Sequence, residues 1–262
     1  MGRIPKVKFL HPKQINERYR HYPGPFAIDE NDLNKIFPNI KNIETDPTNV
    51  SNYQYQKGDL DWPNLLFITK LISYLKPKNI VEIGTFRGRT TYQMAMYSPQ
   101  SKIITIDIAD KGAFEFSGTD LKYQQRVENV GKAFRGSNTE KRISQLIVDS
   151  LTKKCQVMLD NRLGNNKIDF AFIDAGHDYD SVRHNFEELI LPRLSKNGVV
   201  VFDDYNRPLS ILGVTHYLLE KAYKDGYVFY WYAPRESEHT NEVIFINNKD
   251  SRCYNWRNLW SV

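Results

Sequence analysis

The chain has 262 residues, of which 40% are hydrophobic and 13% aromatic, so it can bury the core of one large α/β domain or of a domain plus an extension. Its formal net charge of +5 comes from scattered lysines and arginines, which argues against a nucleic-acid stripe; no apolar run approaches the roughly 20 residues that span a bilayer. Cys155 and Cys253 are the only cysteines, which excludes a disulfide framework or a cysteine metal knot.

Residues 1–60 are punctuated by Pro5, Pro12, Pro23, Pro25, Pro38 and Pro47 and show no long periodic pattern. They read as an N-terminal extension, with aromatics at 19–26 and 53–62 available to cover a substrate site or simply to anchor the segment. The start of the chain lacks the apolar stretch of a secretory signal, so a cytoplasmic protein is expected. Residues 61–262 form the expected catalytic domain. It opens on a helix from Asp61 to Leu75, capped by Asp61, carrying Pro63 in its first turn and ended by Pro77.

The stretch KNIVEIGTFRGRTT follows. Ile80 to Ile83 predict a buried strand, Gly84 and Gly88 a glycine turn, and Thr90 to Met96 a helix. A strand–glycine–helix unit is how α/β folds build nucleotide sites, although this spacing is not Gly-x-Gly-x-x-Gly and a plain βα turn is the simpler alternative. The next strand, KIITID, ends on Asp107, 23 residues after Gly84. An acid near that distance commonly takes ribose hydroxyls; a loop or cap aspartate is the alternative.

Residues 109–142 are long and polar, with a helix predicted from Tyr123 to Phe134. A third strand, Ser144 to Val148, ends on Asp149-Ser150, and a helix is expected from Leu151 to Leu159. Ile168 to Ile173 make a strand ending on Asp174. After it come Gly176, His177 and a helix from about Tyr179 to Leu194, kinked or stopped at Pro192. A glycine turn at Lys196-Asn197-Gly198 precedes the strand Gly198 to Phe202, which ends on Asp203-Asp204. A helix, Gly213 to Tyr223, and two closing antiparallel strands, Tyr227–Tyr232 and Glu242–Ile246, complete the reading.

The motifs VEIGTFRGRTT, ITID, IVDS, FIDAGHDYDSV and NGVVVFDDY, in this order, resemble the class I S-adenosylmethionine-dependent methyltransferases. The stretch from Phe172 to Tyr205 looks like the small-molecule O-methyltransferases of the macrolide-sugar kind and, more distantly, the catechol O-methyltransferases. The resemblance covers roughly residues 60 to 250. It implies a Rossmann-like seven-stranded, mostly parallel sheet with helices on both faces. Glu82, Gly84 and Gly88 would hold the methionine part of S-adenosylmethionine, Asp107 the ribose, Asp149 and Ser150 the adenine, and Asp174 would line the cofactor. Arg87 and Arg89 depart from the small residues commoner in that loop.

Three carboxylates at neighbouring strand ends, Asp174, Asp203 and Asp204, repel one another unless a cation is present, and hard oxygen ligands suit Mg²⁺. The metal-dependent relatives imply the same three residues as ligands. His177 stands where catechol-type relatives place their catalytic lysine, and an imidazole titrating near neutrality suits a general base. The expected function is methylation of a hydroxyl on a sugar, natural product or phenolic, with no nucleic-acid or membrane partner; a homo-oligomer is compatible with it. The alternatives are a metal-independent N- or O-methyltransferase, a hydroxylase-like relative, or a non-catalytic relative that keeps the cofactor pocket.

Overall fold

A computed structural model describes residues 25–47, 55, 58–108, 129–205, 212–232 and 241–248. Their strands are β1 (Phe26–Ile28), β2 (Asn79–Ile83), β3 (Lys102–Asp107), β4 (Ile143–Ile147), β5 (Ile168–Ile173), β6 (Leu194–Tyr205), β7 (Phe229–Tyr232) and β8 (Asn241–Ile246). They make one sheet in the order β1-β7-β8-β6-β5-β2-β3-β4. β2 to β6 are mutually parallel, while β8 runs antiparallel to both β6 and β7. The strand order reverses at β2, the place where open α/β sheets bind ligands beyond their carboxyl ends.

Alternation along the strands sorts the core into two layers. Val81, Ile83, Ala171, Ile173, Val200 and Phe202 face one side; Ile80, Phe170, Phe172, Val199 and Val201 face the other. Helices α2 (Trp62–Leu75) and α3 (Arg89–Tyr97) cover the second face through Leu65, Ile68, Ile72 and Met94. Helices α4 (Lys153–Leu163), α5 (Tyr179–His184) and α6 (Leu212–Asp225) cover the first through Leu159, Val182 and Tyr217.

Local chemistry sets the boundaries. Asp61 Oδ1 accepts the Asn64 N–H at 3.0 Å and starts α2; Lys76, with φ +47, ends it before Pro77. α4 begins at Lys153, two residues later than expected, because Thr152 takes the capping position. The expected helix from Tyr179 to Leu194 is α-helical only to His184, then a π turn over Asn185–Ile190 and a 3₁₀ turn over Leu191–Arg193. Pro192 has no N–H for the Glu188 carbonyl. The Arg193 guanidinium serves that carbonyl at 3.0 Å and the Leu189 carbonyl at 2.9 Å.

Three expectations are corrected. The sheet has eight strands rather than seven, because β1 of the extension pairs in parallel with β7. The extension continues into α1 (Glu30–Ile36), closed by a reciprocal Asp29–Asp32 capping box, and it buries Leu33, Phe37 and Ile40. The helix placed at Tyr123 to Phe134 lies outside the described residues up to 128, and 129–136 form turns. There the Gly131 N–H serves the Phe86 carbonyl at 2.9 Å and the Ala133 N–H the Arg87 carbonyl at 2.8 Å, so the backbone is committed to the glycine loop. The turn expected at 196–198 lies within β6, whose Leu194 pairs with Ile168.

Candidate active site

Every residue singled out from the sequence as a site residue lies at the carboxyl edge of β2, β3, β4, β5 or β6 or in the loop that follows. The end of β5 is tied to that of β2 by the Asp174 N–H, 2.8 Å from the Ile83 carbonyl. The end of β4 is tied to β3 by the Val148 N–H, 2.8 Å from the Asp107 carbonyl.

Gly84 has φ +103, and a Cβ there would come within 1.8 Å of the Asp174 carbonyl oxygen. Its bareness lets β2 and β5 close on each other. Gly88 has φ +80 and caps α3, with the Phe134 ring and Gly131 filling the space a Cβ would need. Both glycines were expected to admit a ligand; what meets them here is the protein's own chain. Phe86 sits between them at φ +47, and its N–H donates to Asp107 Oδ2 at 2.5 Å. That bond orients the Asp107 carboxylate beside the loop.

Glu82 is completely buried. Thr105, opposite it on β3, donates to Glu82 Oε2 at 2.5 Å, and the Thr91 hydroxyl from α3 donates to the same oxygen. Oε1 has no hydrogen-bond partner. Burial pushes the Glu82 carboxyl up to about 8, against the pull of the two threonines. Asp149 Oδ1 accepts the Leu151 N–H at 2.9 Å, so Asp149-Ser150 form a partly exposed turn at the end of β4.

Asp174, His177 and Asp204 bring one ligand atom each to within 4.8 Å of one another, a grouping able to hold a metal ion. His177 Nδ1 lies 2.7 Å from Asp204 Oδ2. The group differs from the expected triad: His177 joins it, and Asp203 does not. Asp203 Oδ1 instead accepts the Asp204 N–H at 2.7 Å, and Asp204 adopts the left-handed φ of +65.

The residues that support these groups were not singled out from the sequence. Thr91 and Thr105 clamp Glu82, Phe86 orients Asp107, and Gly213 seats α6 against the His177 backbone, where a Cβ would come within 2.2 Å of the His177 carbonyl oxygen. Their signals are cross-strand register and close approach, which no spacing encodes.

Two observations bear on cofactor fit. Asp107 is held in place at the loop with its carboxylate positioned, and Glu82 keeps an orphaned oxygen beneath it. Both suit a ligand rich in hydroxyl and amino donors. Residues 81–205 match a family model described as a methyltransferase domain. That segment, a little under half of the chain, is similar to methyltransferase domains.

The chain is 27% identical over 137 residues to a caffeoyl-CoA O-methyltransferase from Stellaria longipes, covering 51% of this chain and 48% of the relative. It is 29% identical over 140 residues to a flavonoid 3',5'-methyltransferase from Vitis vinifera, covering 53% and 52%. The chain thus spans about half the length of these curated relatives. Among solved structures it is similar to the O-methyltransferase TomG from Streptomyces achromogenes, in complex with SAM, at TM-score 0.55 and 15% identity over 92% of this chain and all of that one. It is also similar to cofactor-bound Rv0187 from MTB, at TM-score 0.54 and 14% identity over 74% and 84%. These two likenesses carry the fold alone. Among the described residues, no helix is long and apolar enough to cross a membrane.

Proposed function

We propose that the chain transfers a methyl group from S-adenosylmethionine to a hydroxyl of a small molecule, with a divalent cation such as Mg²⁺ held by the Asp174 and Asp204 carboxylates and His177 beside it as the general base. The observation that carries this reading is the convergence of those three side chains on the sheet edge that also bears the glycine loop. Glu82, Gly84 and Gly88 would sit at the methionine end of the cofactor, Asp107 at its ribose, and Asp149 and Ser150 at its adenine, with Asp174 between cofactor and cation. The acceptor class follows the named activities of the relatives, which are phenolic, and the sequence resemblance, which extends it to sugars and other natural products.

The cofactor supplies a methyl group on a positively charged sulfur. The cation supplies positive charge, which lowers the pKa of a hydroxyl beside it. The chain's own part is proton handling. With Nδ1 engaged by Asp204, the His177 imidazole exchanges a proton through Nε2. Nε2 takes the hydroxyl proton, and the Asp204 carboxylate stabilises the imidazolium that forms. With the cofactor bound, the freed oxygen would take its methyl group, and the sulfur would keep the bonding pair and become a neutral thioether.

Methyl transfer to a panel of catechols, flavonoids and amino or neutral sugars tests this reading, with Mg²⁺ and with excess chelator. Activity that chelator abolishes and Mg²⁺ restores is the expected result. Full activity in chelator would leave the His177–Asp204 pair acting without metal. No transfer to any hydroxyl, in a protein that binds the cofactor, would overturn the assignment.

A further inference from the structure

The extension and α2 enclose a cavity of about 190 Å³ that no step of the proposed chemistry uses. On α2 it is walled by Pro63, Leu66, Phe67 and Lys70, which recur at i, i+3, i+4 and i+7 and so share one face of the helix. The buried Leu33 of α1 and the buried Ile40 face them from the extension. The charged residues of the wall are Lys70, half-buried, and Lys41 and Glu30, both exposed. Among the described residues no carboxylate pairs with either lysine, Glu30 included. Apolar walls with two ammonium groups against one carboxylate suit a ligand that has an apolar body and an anionic end.

The cavity has a fixed relation to the Asp174–His177–Asp204 group. Tyr232, the last residue of β7, lines it and packs its ring on Phe67, with centroids 4.7 Å apart. Tyr232 pairs with Glu242 of β8. Phe202 pairs with Val243 and Tyr205 with Asn241, so a bulge in the β6–β8 pairing sets Asp203 and Asp204 together opposite Glu242. Two strand spacings, on the order of 10 Å, therefore separate the Tyr232 wall from Asp204 along the carboxyl edge. α2 ends just before β2 begins, so its later turns lie toward the opposite edge of the sheet. Lys70 stands two turns beyond Pro63 in that direction, roughly 10 Å by helical rise. The apolar stretch at Leu66 and Phe67 lies between the reacting edge and this ammonium group.

We propose that the cavity holds a carboxylate-ended tail of the acceptor. An apolar spacer lies against Leu66 and Phe67, and the carboxylate meets Lys70 and Lys41. That the tail belongs to the acceptor rests on the proposed function; recognition of an apolar carboxylate by the cavity does not.

Calorimetry on the full chain with octanoate and octanamide reads the cavity without methyl transfer. The acid should bind at least ~10-fold more tightly than the amide, and joint Lys41→Met and Lys70→Met substitution should erase that preference. Leu66→Trp, which fills the cavity from a half-buried position, should weaken acid and amide alike. Equal binding of acid and amide overturns the proposal. So does an acid preference that survives the double substitution, or no binding of the acid below ~10 mM.

Methylation of 6-(3,4-dihydroxyphenyl)hexanoate and its amide then tests the link to the acceptor. The acid should have a KM at least ~10-fold lower at similar kcat, and the double substitution should remove the difference. Equal KM values, with octanoate still preferred to its amide, overturn the acceptor assignment. Octanoate binding stands even if methyl transfer fails, and methyl transfer to neutral acceptors stands even if octanoate does not bind.

Discussion

Gly84 and Asp174 meet at the carboxyl edge of the sheet so closely that a single added carbon on Gly84 would fall 1.8 Å from the Asp174 carbonyl oxygen. The contact joins the glycine loop to the Asp174–His177–Asp204 group, and it changes what a substitution at Gly84 measures. Gly84→Ala must either abandon φ +103 or push β5 away. We expect it to lower folding stability by on the order of 3 kcal/mol. Urea denaturation checks this. A variant as stable as the wild type that has lost only cofactor affinity would show that the glycine serves the ligand rather than the strand contact.

Glu82 makes stability depend on pH. Its folded pKa of about 8 lies above the ordinary value of 4.5, so the folded state holds the proton longer than the unfolded chain does. The stabilisation is complete below about pH 4.5 and is lost as pH rises through 8, at up to about 1.4 kcal/mol per pH unit. The cofactor-free wild type should therefore weaken between pH 5.5 and 7.5, and Glu82→Gln should weaken less. Parallel pH slopes for the two proteins would show that Glu82 is not the titrating group.

His177 and Asp204 should fail in different ways. His177→Ala should lower kcat on the order of 10²–10⁴-fold, with a smaller loss at high pH, where the acceptor hydroxyl ionises unaided. Asp204→Asn should weaken Mg²⁺ binding and also slow turnover at saturating Mg²⁺, since it removes a ligand and the partner of Nδ1 together. If His177→Ala loses Mg²⁺ affinity as fully as Asp204→Asn, the imidazole is a ligand and not the base.

The extension should behave as core over 26–40. Phe37 is buried and meets Tyr74 of α2 edge-on, with ring centroids 5.6 Å apart. Phe37→Ala should cost about 3–5 kcal/mol of stability, as loss of a core aromatic does. A loss below ~1 kcal/mol, read by thermal or chemical melting, would return the segment to the status of a loosely attached cover.

The chain-local features were legible because their causes are local. β2, β3 and β5 run over the residues that their apolar alternation marks, and α2 starts at the cap and proline that announce it. The nucleotide-site reading followed from Gly84, Gly88 and Asp107 because strand, turn and acid all lie between residues 79 and 107. β1 escaped notice because three residues form no periodic signal, and their strand exists only where β7 offers an edge. Residues 129–136 carry helix-compatible side chains, yet their N–H groups go to the carbonyls of Phe86 and Arg87.

The sequence by itself determined which acids and which histidine reach the carboxyl edge of the sheet, since strand ends and side-chain parity are properties of the local chain. Only the tertiary structure decided how they group. Asp203 and Asp204 are neighbours in every reading of the sequence, but a bulge against β8 and a left-handed backbone at Asp204 send one carboxylate to His177 and leave the other opposite Glu242. Register between strands is set by the packing of the whole sheet, so Glu242 of β8, far along the chain, comes to stand opposite the two aspartates.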